Sequence, residues 1–501
     1  LNVAEKAVWL LVAVVVLKTW CVEGLFSPLV VPGGSMAATL LGTHRKVVCQ
    51  DCGFRFDCGI EPHEPAQRAV CPNCGHVGND ISDAADVSGD RVLMHKSAFL
   101  LRGPRVWEVV AFRDPAQANR IMVKRVVGLP GESISIKHGD VYANGKIRRK
   151  PLWLQRAMAV LVHDAGYSTE HFDAENKHWV TDRWAADGPD SQWGFADGKF
   201  AHPQSIANGK TQWLTYCHGR PAFVKTPRQI PSPVTDLCGY NQTRSRRVED
   251  VHTVGDLMLS LRVREFFGRG SLSIRAGDTR SEFLIRLTVE PPVNSGHEKT
   301  RAANLLTGLR QASIETWRDG QPLQDLGRRW IALRDGSNSN GAKASGFALE
   351  VSLFDHRLLV AVDGQVVVDY PYEHAPTSAD PASNSQGDVL AACRPLAVGR
   401  DGLGLIMEDV RVYRDVYYLA PPAMVDKAEY FTSTRLADDE YYVLGDNSSI
   451  SSDSRNWPGG PSVSAKLLVG KPLAVHVPSR RVVVAGREFQ VPDIGRIRYI
   501  R

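Results

Sequence analysis

The sequence predicts a mainly β protein, with a β-sheet core that follows a transmembrane helix and is interrupted by a metal ribbon and a β-sandwich. Period-two apolar alternation recurs along the chain, as in Phe283, Ile285, Leu287 and Val289. One long apolar run stands near the N-terminus, and two Cys-x-x-Cys pairs lie close together. At 501 residues the chain exceeds what one core supports. It should divide into about two to four domains. The formal net charge of +5 is small for this length and gives no reason to expect a nucleic-acid partner. Fifteen histidines show no His-Glu-x-x-His spacing, which argues against a metalloprotease.

Residues 1–24 read as a membrane anchor. Ala7 to Leu17 is an uninterrupted apolar run of eleven residues between Lys6 and Lys18. As a helix it is about 17 Å long, against a hydrocarbon core of about 30 Å. The flanking lysines can snorkel, and Thr19-Trp20-Cys21-Val22 extends the stretch up to Glu23. A cleavable signal peptide has an apolar region of the same length. However, no Ala-x-Ala-like site follows, and Leu25, Phe26, Leu29 and Val30 keep the chain apolar. The expectation is an uncleaved, single-pass anchor in contact with the lipid bilayer.

Residues 25–48 carry Ser35 within Val31-Pro32-Gly33-Gly34-Ser35-Met36. A hydroxyl becomes a nucleophile only when a neighbour removes its proton, and Gly33 and Gly34 leave room for another backbone to approach. Residues 49–80 hold five of the nine cysteines. Cys49-x-x-Cys52 and Cys71-x-x-Cys74 are separated by eighteen residues, the spacing of a four-thiolate zinc site, with Gly53 and Gly75 placed for knuckle turns. Disulfides are the alternative, and Cys58 leaves an odd thiol under either reading. The expectation is a structural zinc with no part in catalysis.

Residues 81–150 place Lys124 in the β-type apolar run Arg120-Ile121-Met122-Val123-Lys124-Arg125-Val126-Val127. Lysine is out of place there unless it is paired, functional or turned to solvent. To act as a base its pKa must fall from about 10.4 to about 7, a differential of roughly 4 kcal/mol that apolar burial can supply. A Gly128-Leu129-Pro130-Gly131 turn and a Gly139–Gly145 hairpin follow. Serine and lysine suffice for a protease without histidine.

Residues 151–428 read as an inserted sandwich. Leu257, Leu259, Leu261 and Val263 alternate, and Leu358 to Val368 forms a hairpin about Asp363-Gly364. Gly399-Arg400-Asp401-Gly402 followed by Glu408-Asp409-Val410-Arg411-Val412-Tyr413 resembles the closing phrase of laminin-G or concanavalin-like jelly rolls. That leaves open a sandwich without a ligand and one that binds a glycan or peptide. Trp184, Trp193, Trp213 and Trp330 are placed either to stack on sugars or to fill the core. In residues 429–501, Tyr441–Leu444 leads into a Gly445-Asp446-Asn447 loop. Leu468–Pro472 and Val482–Val484 then read as strands closing the first sheet.

The order and content of the Ser35, Lys124 and Gly445 segments resemble type I signal peptidases. The third segment, running through Ser451-Ser452-Asp453-Ser454-Arg455-Asn456-Trp457, carries the most distinctive part of the likeness. The resemblance implies a β-sheet catalytic domain outside the cytoplasmic membrane, with Lys18 at the end of the anchor. Ser35 would be the nucleophile and Lys124 the base, cutting signal peptides from exported preproteins after small residues. Ser451 would bond the lysine amine, Asp453 would pair with Arg455, and Asp446 with Arg125. Val31, Pro32, Gly33, Met36, Leu40, Met122 and Val123 would wall shallow pockets. Three departures stand out. Gly33 replaces a serine whose hydroxyl helps bind the oxyanion, Ala38 replaces a proline, and Ser448-Ser449-Ile450 replaces Arg-Asp-Asn. The ribbon is foreign to the family. A membrane-tethered, lectin-like protein with a degenerate peptidase site is the alternative.

Overall fold

The structure is a computed structural model. It describes residues 3–16, 18–19, 24–60, 67–117, 119–168, 179–188, 191–203, 209–221, 229–241, 251–278, 280–289, 309–334, 346–373, 392–419, 433–475, 479–484, 487–492 and 497–500.

Helix α1, Val3–Val16, is exposed along its described side chains from Glu5 onward, valines and leucines included. Its 14 residues correspond to about 21 Å. No helix among the described residues is long and apolar enough to cross a membrane. The extension through Trp20 to Glu23 lies outside the described residues.

The first, eight-stranded sheet is built on β1 (Phe26–Val30), β2 (Arg91–His95), β3 (Val109–Arg113), β4 (Ile121–Gly128), β5 (Glu440–Leu444) and β6 (Leu468–Val475), with the two-residue strands Val463–Ser464 beside β5 and Arg498–Tyr499 beside β6. Their order is β1-β2-β6-β3-β4-β5, and every pairing is antiparallel. Distant parts of the chain are therefore neighbours: β6 separates β2 from β3, and β5 lies against β4. Strand Ser479–Val484 does not join this sheet, but pairs with Arg487–Pro492 in a hairpin of its own.

The segment read as a Gly139–Gly145 hairpin is one strand between two tight turns. Asp140–Ala143 pairs with Ser133–Lys137 on one side and Lys146–Ile147 on the other. His138-Gly139 and Asn144-Gly145 all have positive φ, as two-residue hairpin turns with the strands' own twist require. His44–Val48 pairs with Arg55–Gly59 in the ribbon rather than with the first sheet.

Two eight-stranded sheets form the sandwich. One centres on Leu257–Phe267 and Gly404–Arg414, the other on Gly270–Gly277 and Leu396–Asp401. A single apolar cluster lies between them, with Leu259, Leu261 and Val263 from one sheet meeting Ile274, Ile285 and Leu287 from the other. Fully burying each such side chain contributes about 1.5–3 kcal/mol. Asp363 and Gly364 both have positive φ, the signature of the hairpin the sequence predicted there. The two ends of the insertion meet where helix α2, Leu152–Met158, buries Leu154 and Met158 beside Trp107, Ile134, Val416 and Tyr418.

Candidate active site

Ser35 lies in a single 3-10 turn, Gly34–Met36, directly after β1. Lys124 lies mid-strand in β4, opposite Val110 of β3. Strand alternation puts Met122 and Val126 on the same face as Lys124, and both pack with Val110, Phe112 and Val443. The amine is thus dry, with Lys124 only 2% exposed. Burial pushes its pKa down to about 8, and Arg455 and Arg120 add to the fall while Asp453 and Asp446 oppose it. Lys124 Nζ stands 2.6 Å from Ser35 Oγ. A neutral amine at that distance can take the hydroxyl proton.

Beneath the pair, Arg125 points to the opposite face of β4 and is fully buried. It holds Asp446 through Nε at 2.8 Å and Nη2 at 2.7 Å, and donates Nη1 to Trp107 O at 2.7 Å. Asp446 also accepts from Thr39 Oγ1 at 2.5 Å, which ties the third segment to the Ser35 loop. Arg455 grips Asp453 through Nε at 2.8 Å and Nη2 at 2.7 Å. Burial would push Asp453 upward, but Arg455 holds it below the usual carboxylate range. Asp453 in turn accepts from Gly445 N at 3.0 Å. Gly445 must lack a side chain, since a Cβ there would fall 2.2 Å from Ser451 Oγ and 2.4 Å from Ser35 O.

Two sequence expectations need correction. Ser451 does not bond the lysine amine. Its Oγ is buried without a well-formed hydrogen bond, although it lies close enough to Asp453 to help hold that carboxylate down. The seven supposed wall residues also do not share one surface. Met36 and Leu40 are fully buried, packed with Val31 and Val123 around Val92 and Ala111. Met122 faces the other side of β4, because successive side chains alternate. Pro32 and Gly33 are exposed.

Sequence reasoning missed Asn447 as an actor and missed Tyr240 and Asn241 altogether. Asn447 N donates to Ser35 O, and its Nδ2 to Gly34 O, both at 3.0 Å. Asn241, more than 200 positions away in the chain, pairs with Asn447 at 2.7 Å. A Gly-Tyr-Asn string in a long insertion carries no signal that could have revealed this.

At the ribbon, Cys49 Sγ lies 3.6 Å from Cys74 Sγ, and Cys52 Sγ 3.7 Å from Cys71 Sγ. These are not disulfides. Four thiolates about 2.3 Å from a shared ion would stand about 3.8 Å apart, so the spacing fits a tetrahedral metal. Each pair ends in the same knuckle: Gly53 N donates to Cys49 O and Gly75 N to Cys71 O, with both glycines at positive φ. Cys58 is buried outside the cluster. Of the tryptophans singled out in the sequence, Trp184 and Trp193 fill the sandwich core, Trp213 lies under Arg275, and Trp330 is exposed.

Residues 77–196 match the family model described as signal peptidase, peptidase S26. The chain therefore carries a signal peptidase S26 family domain. The matched span includes Lys124 and Arg125, while Ser35 and the Gly445 loop lie outside it. "Probable signal peptidase I-2" of Synechocystis sp. is 36% identical over 63 residues, 12% of this chain and 29% of that protein. "Signal peptidase I V" of Bacillus subtilis is 33% identical over 63 residues, 13% of this chain and 36% of that protein. The chain thus spans about a third of the length of the relatives it matches. Among solved structures, carbohydrate binding module CBM66 from Bacillus subtilis is 7% identical with a TM-score of 0.21, covering 46% of this chain and 94% of that one. The Emp47p carbohydrate recognition domain is 10% identical with a TM-score of 0.21, covering 48% and 92%. Likeness this loose assigns no ligand.

Proposed function

We propose that the chain is a membrane-anchored serine endopeptidase that removes signal peptides from exported preproteins after small residues. The observation that carries this reading is the dry Lys124 amine 2.6 Å from the Ser35 hydroxyl. Lys124 takes the Ser35 proton as Oγ attacks the scissile carbonyl, and the Ser35 N–H faces the developing oxyanion. The ammonium then protonates the leaving amine, and the same lysine activates the water that releases the acyl group. The exposed apolar helix α1 supports a single-pass anchor in the cytoplasmic membrane, with the catalytic sheet on the outer side. The four-cysteine cluster is read as structural zinc with no part in the chemistry. A lectin-like protein with a decayed site is disfavoured, since decay would have no reason to keep serine and lysine in contact.

The test is cleavage of a precursor bearing an Ala-x-Ala site by wild type and by Ser35→Ala in detergent micelles. Cleavage by wild type alone is expected. Equal cleavage by both, or none by either when both are folded, overturns the reading.

A further inference from the structure

Residues 234–241 reach from the sandwich to the back of the nucleophile loop. Val234 belongs to the sandwich core, and Arg414 Nη2 donates to Asp236 O and Leu237 O. At the other end, the Tyr240 ring packs directly on Gly34 and Gly59. A Cβ at either glycine would lie 2.3 Å or 2.2 Å from Tyr240 Cε1, so only glycine admits the ring. Tyr240 Oη donates to Thr43 O at 3.1 Å, and Gly59 N donates to Tyr240 O at 2.8 Å. This holds Asn241 against the third catalytic segment.

Asn241 and Asn447 form a reciprocal amide pair, each Nδ2 donating to the other's Oδ1 at 2.7 Å. The second Nδ2 hydrogen of Asn241 goes to Ser449 Oγ at 2.9 Å, and that of Asn447 to Gly34 O at 3.0 Å. All four amide hydrogens are used. Alone, the Asn447 amide could turn over about its broad two-fold torsion and put oxygen against Gly34 O. The pair forbids this, because a turned amide would set oxygen against oxygen and nitrogen against nitrogen. Gly34 O is one end of a planar peptide whose other end is Ser35 N–H, so fixing the oxygen aims the hydrogen. Gly33 offers no hydroxyl to share the oxyanion, which leaves that N–H with more of the load.

We propose that Asn241, supplied by the inserted sandwich, is a positioning residue that acts through Asn447 to aim the Ser35 N–H at the oxyanion. The inference rests on the Ser-Lys peptidase reading. It makes the insertion part of the catalytic apparatus rather than an appendage.

The experiment measures precursor cleavage by the full chain as wild type, Asn241→Ala, Asn241→Asp, Asn447→Ala and the Asn241→Ala/Asn447→Ala double variant. Losing an oxyanion donor outright lowers kcat by about 10²–10³, so misaiming one should lower it by about tenfold or more. KM and the pH midpoint should stay at wild-type values, since neither substrate pockets nor Lys124 are touched. The double variant should be no slower than Asn447→Ala, because both changes break one chain of contacts. Wild-type kcat in both Asn241 variants overturns the proposal. So do additive losses, a loss confined to KM, or a loss matching only the folded fraction measured by circular dichroism. Wild-type cleavage that survives Ser35→Ala would overturn the peptidase reading itself, and this inference with it.

Discussion

Replacing Lys124 by methionine removes a buried charge while keeping an unbranched apolar stem in the same space. In the folded chain the amine titrates at about 8, against 10.5 for a free lysine. That gap makes the charged form about 3 kcal/mol less favourable in the fold than in the unfolded chain. The sign follows from proton binding. Between pH 8 and 10.5 the unfolded chain holds a proton the folded chain has released, so wild-type stability rises with pH across that window. Below pH 8 both states are protonated and the full penalty applies. Lys124→Met should therefore be more stable than wild type by about 3 kcal/mol at pH 6.5 and by about 1.5 kcal/mol at pH 9.5. Denaturant unfolding of both proteins at the two pH values, with transitions followed by tryptophan fluorescence, measures this. The same variant should cut no precursor. In wild type, kcat/KM should fall about tenfold per pH unit below 8, as the neutral amine disappears. Equal stability of variant and wild type at low pH, or cleavage unchanged from pH 9 to pH 6, would refute the argument that burial makes this lysine a base.

Three other outcomes are expected. Gly33 has extended backbone with no atom within 4 Å of a Cβ, so Gly33→Ser should fold normally and, by giving the oxyanion a second donor, raise kcat about tenfold; a lower kcat would count against that geometry. Arg125→Met strands Asp446 in the interior and should destabilise the first sheet by about 3–5 kcal/mol in urea unfolding; a shift under 1 kcal/mol would mean water reaches the carboxylate. Purified protein should contain one zinc per chain by elemental analysis, and Cys71→Ser should lose it; a metal-free protein with Cys49 and Cys74 oxidised would contradict the zinc reading.

Chemistry that depends on local pattern was legible in the sequence. A lysine in an apolar β run, each Cys-x-x-Cys pair with the glycine after it, and the Asp363-Gly364 turn are each dictated within a short stretch of chain. The same holds for the alternating strands of the sandwich, where period two decides which side chains face the core. Contacts across sheets and between side chains were not legible. Strand alternation separates Met122 from Val123, and packing buries Met36 and Leu40, so a list of apolar neighbours in sequence did not become a substrate pocket. Ser451 was assigned a bond to the lysine, yet its buried hydroxyl makes none, because a motif fixes which residue is present and not where its side chain ends up. Asn241 left no trace, since an amide pair between residues 206 positions apart is set by how two domains dock. The sequence by itself determined which groups are available for chemistry, because residue identity and local spacing fix the kinds of donor, acceptor and metal ligand present. Only the tertiary structure decided which of them touch and which lysine stays dry, because distance and desolvation arise from packing elements that are remote along the chain.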